Sequence, residues 1–404
     1  MARKRVIYQS EALFVSPTGN TAAADVNQLR RVQSANYSFD IARSDINQFG
    51  QLAAIDRIIL EQPTVSLDFS YLVTNDYNET GIGLSIASTT VGFDHNSCIA
   101  HLLSGKAAGD DGNNLYGGTA AVSTDVKNYF IAVGTEGTDY NTTTARGDQT
   151  GVIGIGNAQI TSYSVDGSVG DFVTASVSCE ALNMQFDSAA NIPGSETSDV
   201  KVLNPSVNPV NGASLAGTIT MPDGTEGTGA NIPMALRPGS VVVDLAAGGA
   251  LESGTLGLDA TDLKVQSFTC GFDLSRTPIE KLGSKFAFAR VVDFPTTATM
   301  DFSAIMGEMN MSEVEDLENI VSSDCASFDI DIKCKPDASC AGGSPKGLAF
   351  QLKGAKLDSQ SMSSTIGDNK TVDFSFSSQI GGPTDLAHGL KIYVINEAGA
   401  ATTH

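Results

Sequence analysis

The segment VQSANYSFDIARSDINQFGQLAAIDRIILEQPTVSLDFS, residues 32–70, recurs at residues 265–303 as VQSFTCGFDLSRTPIEKLGSKFAFARVVDFPTTATMDFS. The two segments align without a gap at a constant offset of 233, and 14 of the 39 aligned residues are identical. Conservative replacements, such as Ile41 by Leu274, lie between the identities. An ungapped match of this length indicates that the chain carries one structural unit twice.

A second and weaker match extends the repeat toward the end of each copy. Residues 157–178 align with residues 354–375 at an offset of 197, with seven identities. The offset is smaller by 36, so the middle of the first copy is 36 residues longer. Surface loops absorb such differences in length at little cost, whereas packed strands do not. We therefore predict two units, a domain at residues 1–186 and, at residues 187–404, a linker followed by the second domain.

The composition favours an all-β protein and argues against several functional classes. Only 17% of the 404 residues are charged, Gly reaches 41, and there is no Trp. A net charge of −22 argues against an outer surface that binds nucleic acid, because phosphate binding needs clustered Lys and Arg. No apolar run follows the basic MARKR start, and none reaches the roughly 18 residues of a membrane span. Synthesis in the cytoplasm is the expectation.

Alternating apolar and polar residues predict strands in both copies. The apolar sets are Ala35, Tyr37, Phe39 and Ile41; Val65, Leu67, Phe69, Tyr71 and Val73; Phe268, Cys270, Phe272 and Leu274; and Ala298, Met300, Phe302, Ala304 and Met306. Further strands are predicted at residues 129–133 and 328–332, and helices at residues 96–103 and 312–321.

A short helix is also predicted between the paired strands of each opening segment. Thr277-Pro278-Ile279-Glu280 has the pattern of a capping box with Pro at the first helical position, and Gly283 would end the helix. Ser44 and Gly50 occupy the same positions in the first copy.

Motifs of catalysis are missing from the sequence. The run GVIGIG at residues 151–156 lacks the spacing of a dinucleotide-binding loop, and neither a GxSxG nor an HExxH motif occurs. His95, Cys98 and His101 are spaced so that a helix could bring them to one metal ion, but a solvated helix with a buried Cys is the favoured interpretation. Cys334 and Cys340 bracket a turn, and free thiols are favoured over a disulfide in a reducing cytoplasm. We predict no catalytic residue, no cofactor and no metal site, and hence no enzyme.

Residues 266–305 and residues 156–184 resemble segments of the major tail tube proteins of long-tailed bacteriophages. In that family a strand leads through a short capped helix and an LGS or LGSK turn to a strand that ends in D-F-S or a similar triplet. The resemblance implies a mainly β fold, here as two tandem tail-tube-like β-sandwich or half-barrel domains, each with a short flanking helix. It also implies hexameric rings that stack into a tube. Three chains of two domains each would form one pseudo-hexameric ring.

The same resemblance implies a structural role in the virion tail and a set of partners. These partners are other copies of the chain, the tape measure, distal tail and terminator proteins, and DNA that passes through the lumen without specific binding. No membrane partner is expected. The alternatives are a distal tail or baseplate ring protein and a capsid decoration protein or adhesin. A glycan-active enzyme is disfavoured because no paired carboxylates can be nominated.

Six charged residues are the candidate functional residues. Asp68 and Asp301 alternate with the apolar residues of their strands, so they are predicted to line the lumen and to repel DNA phosphates. The pairs Asp40 with Arg43 and Asp273 with Arg276 recur in both copies, and a subunit interface is favoured slightly over a surface ion pair. The Gly-rich loops at residues 109–118 and 134–147 are expected to touch the next ring.

Overall fold

The described part of the chain consists mainly of β-strands in this computed structural model. Strands make up 69% and helix 4% of the described residues, so the prediction of a mainly β fold is confirmed. The structure describes residues 11–17, 26–53, 55–59, 62–87, 97–100, 102, 126–134, 149–188, 200–207, 213–214, 217–221, 234–236, 241–245, 263–280, 282–283, 286–287, 289–306, 327–335, 346–363, 369–382, 385 and 387–396.

The elements of the first copy precede a short linking region, and a second series follows it. The first series is β1 (Glu11–Pro17), β2 (Asn27–Gln28), β3 (Val32–Asp40), β4 (Arg43–Ile46), β5 (Asp56–Ile59), β6 (Thr64–Leu72), α1 (Tyr77–Ile82), β7 (Ile86–Ala87), β8 (Lys127–Gly134), β9 (Gln149–Ser168), β10 (Thr174–Ala181) and β11 (Asn183–Ser188). The linking region holds β12 (Val200–Leu203) and β13 (Thr218–Met221). The second series is β14 (Val241–Leu245), β15 (Leu263–Asp273), β16 (Arg276–Ile279), β17 (Ala289–Val292), β18 (Thr296–Met306), β19 (Phe328–Cys334), β20 (Gly347–Ser363), β21 (Thr371–Ile380) and β22 (Gly389–Ile395).

Sixteen of these strands are hydrogen-bonded into one connected system of three parts. The inner sheet has eight antiparallel strands in the order β20-β21-β18-β15-β9-β10-β6-β3. One outer sheet contains β1, β2, β8, the first half of β9 and β11. The other contains β14, β19, the first half of β20, β22 and β7.

The strand pairs of the first copy recur in the second in the same register. Ala35 lies opposite Phe69 between β3 and β6, and the residues 233 positions later, Phe268 and Phe302, lie opposite each other between β15 and β18. The register shift after Val32 also recurs after Val265. β14 pairs with β19 in the way that β1 pairs with β8. The boundary at residue 186 stays a prediction.

Two long strands, β9 and β20, each run from an outer sheet into the inner sheet. The transition lies at Asn157 (φ 57°) in β9 and at Gly354 (φ 65°) in β20, which are equivalent positions at the offset of 197. Asn and Gly are the residues that most readily adopt a positive φ. The resulting layers pack face to face, with Phe69 5.5 Å from Tyr129 and Phe268 6.5 Å from Phe350 between ring centroids. The described residues therefore form a β-sandwich, and whether it divides into two domains stays a prediction.

The short helix predicted in each opening segment is wrong. Residues 43–46 pair with residues 56–59, and residues 276–279 pair with residues 289–292, so each segment is a β-hairpin. Gly50 (φ 87°) and Gly283 (φ 85°) lie in the hairpin tips rather than at a helix end. The capping-box pattern is a local signal, and the pairing with a β-branched segment about ten residues later overrides it.

The helix α1 was not predicted. Of the two helices predicted at residues 96–103 and 312–321, the first lies partly and the second wholly outside the described residues. Of residues 96–103 the structure describes 97–100 and 102, where Ala100 and Leu102 are helical and buried. Residues 312–321 lie outside the described residues. Among the helices in the described part of the chain, none has the length and apolar character needed to cross a membrane.

Candidate functional site

The outward face of the inner sheet is the most distinctive surface of the molecule. Alternation along the eight strands places four outward positions on each strand between residues of the core. Twenty-two of these 32 positions are Ser or Thr, seven are Asp or Glu, and one is Lys. They are Ser34, Asn36, Ser38, Asp40, Thr64, Ser66, Asp68, Ser70, Ser162, Ser164, Asp166, Ser168, Thr174, Ser176, Ser178, Glu180, Ser267, Thr269, Gly271, Asp273, Thr297, Thr299, Asp301, Ser303, Lys356, Ser359, Ser361, Ser363, Thr371, Asp373, Ser375 and Ser377.

Both lumen candidates lie on this polar face, and their side chains are exposed. Asp68 lies between Asn36 and Ser178 on the neighbouring strands. Asp301 lies between Thr269 and Ser375. The polar face thus brings the two carboxylates onto one surface, but whether that surface lines a lumen stays a prediction.

The polar face carries a shallow depression over the second copy. This depression of about 290 Å³ is lined mainly by outward residues of the four strands β15, β18, β21 and β20, including Ser267, Asp301 and Ser361. Hydroxyl groups pair across the strands, with Ser34 Oγ 2.7 Å from Ser70 Oγ and Ser38 Oγ 2.6 Å from Ser66 Oγ. These pairs satisfy part of the hydrogen-bonding capacity of the hydroxyls on the face.

The centre of the inner sheet is a junction between the two copies, where β15 pairs with β9. Residues 267–273 lie opposite residues 168–162, and Thr269 Oγ1 donates a hydrogen bond to Asp166 Oδ1 across the junction at 2.8 Å. The rings of Phe272 and Tyr163 stack with centroids 5.8 Å apart. Arg290, which is largely buried, lies 3.0 Å from Glu180. We call this pairing the internal junction.

The two ends of the inner sheet are the counterparts of the internal junction. β3 is equivalent to β15, and the second half of β20 (residues 356–363) is equivalent to the second half of β9. Among the described residues, β3 pairs only with β6, and residues 356–363 of β20 pair only with β21. Each end therefore presents the equivalent of one of the two strands that pair with each other in the internal junction.

Apolar side chains that the internal junction buries have exposed equivalents at the two ends of the inner sheet. Tyr37 and Phe39 are 39% and 59% exposed, whereas their equivalents Cys270 and Phe272 are 0% and 4% exposed. At the other end, Met362 is 40% exposed and its equivalent Val165 is fully buried. This difference was not predicted from the sequence, because the aligned copies are apolar at the same positions.

A third residue follows the same rule outside the inner sheet. Phe186 of β11 is 60% exposed, while its equivalent Ile392 of β22 is fully buried. Ile392 lies beside Ile86 because β7 of the first copy pairs in parallel with β22. The ring of Phe186 contacts Tyr37 with centroids 6.4 Å apart. Tyr37, Phe39 and Phe186 therefore form one exposed apolar surface, which we call the β3 edge surface.

The four interface candidates lie where the inner sheet meets the hairpins. Asp40 ends β3 and Arg43 begins β4, and both side chains are exposed. Asp273 ends β15, and Arg276, half-buried, begins β16. The interface role of these residues stays a prediction.

A buried carboxyl group, Glu79 in α1, has no counterpart among the predicted residues. Its Oε1 accepts hydrogen bonds from the hydroxyls of Tyr71 at 3.0 Å and Tyr163 at 3.5 Å. Burial raises its pKa to about 7 and outweighs the hydrogen bonds, which lower it. The equivalents of these tyrosines are Ala304 and Gln360, so the cluster belongs to the first copy alone.

The described residues contain no group of three His, Cys, Asp or Glu side chains that could hold a metal ion. Cys98 and Cys334 are buried and free, and burial raises the pKa of both thiols. His95, His101, Cys340 and the loop residues 109–118 and 135–147 lie outside the described residues. No protein-family model matches the chain, and no curated protein is similar to it at a significant level.

Proposed function

We propose that the chain is a structural protein that closes into rings of three and stacks into a tube whose lumen conducts DNA. The observation that carries this proposal is the relation between the internal junction and the ends of the inner sheet. β3 and β20 present the two halves of a junction that β15 and β9 already complete within the chain. Pairing of β3 with β20 of another copy repeats the same contact, and a repeated rotation closes a ring.

The internal junction supplies the register of the contact between chains. Cys270 lies opposite Val165, and Phe272 lies opposite Tyr163. Shifting these pairs by 233 and 197 residues gives Tyr37 opposite Met362 and Phe39 opposite Gln360 of the neighbouring chain. Two of the exposed apolar residues thereby meet each other, which supports this register over its neighbours.

The proposed contact between chains differs from the internal junction in how closely its strands can approach. The close approach at the internal junction uses Gly271, where an added Cβ would overlap the carbonyl oxygen of Tyr163. The equivalent residue of β3 is Ser38, which has a Cβ. The strands between chains must therefore separate slightly at Ser38, so the ring is pseudo-sixfold rather than sixfold.

The polar face supports the assignment of the inner wall. When β3 pairs with β20, the inner sheets of all chains join edge to edge, and the polar face turns toward the axis. Its seven carboxylates outnumber its cations, Lys356 and the Arg290 that pairs with Glu180, so the wall carries a negative charge that repels phosphates and lets DNA slide. Asp68 and Asp301 contribute one such carboxylate at the same place in each copy.

A disulfide between chains tests the register directly. We would prepare the double variant Tyr37→Cys with Met362→Cys and the two single variants, because the described native cysteines are buried. Directly opposed residues of antiparallel strands have Cα atoms about 4.5–5.5 Å apart, within the range of a disulfide. Mild oxidation is expected to give covalent trimers from the double variant only.

A register control and electron microscopy complete the test. The pair Tyr37→Cys with Ser361→Cys places its thiols on opposite faces of the sheet and should cross-link poorly. Negative-stain images of the wild-type chain should show rings and tubes with a central channel. A chain that stays monomeric at high concentration and forms no cross-link would disprove the proposal, and single rings without tubes would favour the distal tail or baseplate alternative.

A further inference from the structure

The outer sheet that contains β19, β20 and β22 buries three polar side chains in one row. Asp331 of β19 lies opposite Gln351 of β20, and Gln351 lies opposite Lys391 of β22. Their exposed fractions are 1%, 2% and 1%. Charged side chains are rarely buried to this extent, because removing an ammonium or a carboxylate from water is costly. We call these three residues the buried polar row.

The first copy shows that the fold does not require polar residues at these positions. Gly154, which is 197 positions before Gln351, lies between Phe130 and Gln185 in the same register. Phe130 packs in an apolar cluster with residues of β12 and β13. A Cβ added at Gly154 would lie 3.1 Å from Pro205, so this face of the first copy is closely covered. Burial of the face therefore does not explain the buried polar row.

The side chains of the row have the chemistry for a reaction between two of its members. Lys carries a primary amine, and Gln carries a carboxamide whose Cδ an uncharged amine can attack. Directly opposed residues of antiparallel strands have Cα atoms about 4.5–5.5 Å apart, so the flexible stem of Lys391 can bring its Nζ to the amide of Gln351. Fixed proximity replaces a collision in solution, and burial keeps out the water that would compete for Cδ.

We propose that Lys391 and Gln351 form an isopeptide bond within the chain, with Asp331 transferring the proton. The uncharged Nζ attacks Cδ of Gln351, a new C–N bond forms, and the bond from Cδ to the amide nitrogen breaks. Asp331 accepts the proton that Nζ loses and donates it to the departing nitrogen. Ammonia leaves, the carboxylate is restored, and the reaction is balanced by these three side chains alone.

The bond would fasten β22, the last strand of the described chain, to β20. A cross-link within one chain restricts the unfolded state, so the two strands would stay joined after their hydrogen bonds open. The inference concerns a single chain, and it depends neither on ring formation nor on the passage of DNA.

Mass spectrometry of the intact, denatured wild-type chain tests the bond directly. The mass should be lower than that of the sequence by one molecule of ammonia. Trypsin does not cleave after a lysine whose amine is acylated, so digestion should give one branched peptide in which residues 347–353 are joined to residues 371–404. A folded wild-type chain with the full mass of its sequence would overturn the proposal.

Three variants separate the roles of the row. Lys391→Met and Gln351→Leu each remove one reactant, so both chains should keep the full mass of their sequences. Asp331→Asn keeps the size of the side chain but removes the proton acceptor, and it should form the bond at least about 100-fold more slowly. The cross-linked fraction during incubation of the purified variant measures this rate, and a wild-type rate would overturn the role of Asp331.

The matched control is Lys333→Met. Lys333 is half-buried on the same face of β19, but it lies opposite Ala349, which has no side-chain amide. This variant should lose ammonia as the wild type does. Where Lys391→Met fails to fold, Lys391→Arg keeps the positive charge without an uncharged amine and allows the same mass measurement. Loss of ammonia from a folded Lys391 variant would overturn the assignment of the bond.

Discussion

The substitution Phe39→Ala should weaken association between chains without weakening the fold of one chain. A Phe side chain buries about 200 Å² when fully covered, and 59% of Phe39 is exposed in the free chain. With allowance for the Cβ that Ala retains, pairing with β20 would bury about 100 Å² at this residue. At about 25 cal/mol per Å² this corresponds to about 2.5 kcal/mol per junction, or about a 60-fold weaker contact.

Sedimentation of the variant over a range of concentrations, compared with wild type, measures the effect on ring formation. Urea unfolding below the association threshold measures the fold, and its midpoint should be unchanged. The matched control is Phe272→Ala, the equivalent residue at the internal junction, which is buried within the chain. It should lower the free energy of unfolding by about 3–5 kcal/mol. Unchanged association for Phe39→Ala would refute the pairing of β3 with β20.

Three further predictions concern other parts of the inner sheet and its surroundings. The double variant Asp68→Lys with Asp301→Lys should still assemble, but its tubes should retain short duplex DNA at low salt, measured by co-sedimentation; absence of retention would contradict the lumen assignment. Glu79 has a raised pKa of about 7, so the folded state holds its proton while the unfolded state loses it near 4.5, and stability should fall by up to about 3 kcal/mol as pH rises between these values. Glu79→Gln should remove that fall, which urea unfolding of the variant and the wild type at pH 5 and pH 8 would measure. If the carboxyl were ionised throughout, the variant and the wild type would show the same change in unfolding free energy between the two pH values. Gly271→Ser should destabilise the chain by more than about 2 kcal/mol because its Cβ would meet the Tyr163 carbonyl, and a wild-type melting temperature would disprove the close contact.

The strands and their buried faces could be predicted from the sequence because their signal is local. Val65, Leu67, Phe69 and Tyr71 alternate with polar residues, and all four are buried. The repeat alone also aligns the residues that occupy equivalent positions in the two copies. The Ser and Thr residues at the outward positions can be read from the sequence of the same strands. Only the sheet order shows that the outward positions of all eight strands form one polar face.

The hairpins and the edge surface could not be predicted because they depend on distant pairing. Thr277 to Glu280 resemble a helix start until residues 289–292 are known to lie beside them. Tyr37 and Phe39 have the pattern of a half-buried strand, but nothing in their own segment tells that β3 ends the sheet. Glu79 gave no signal either, since its tyrosine partners come from β6 and from β9, 84 residues away.

In the proposed ring, the covalent link between the two copies has a consequence for the speed of assembly. A ring of six separate units requires five encounters, each of which loses translational and rotational freedom. The internal junction is formed when the chain folds, so the proposed ring of three chains would require only two encounters before it closes. The concentration dependence of nucleation would be correspondingly shallower, and rings would begin to form at an earlier stage of accumulation. Fusion also lets the copies diverge, because a feature such as the Glu79 cluster would then recur three times around the proposed ring instead of six.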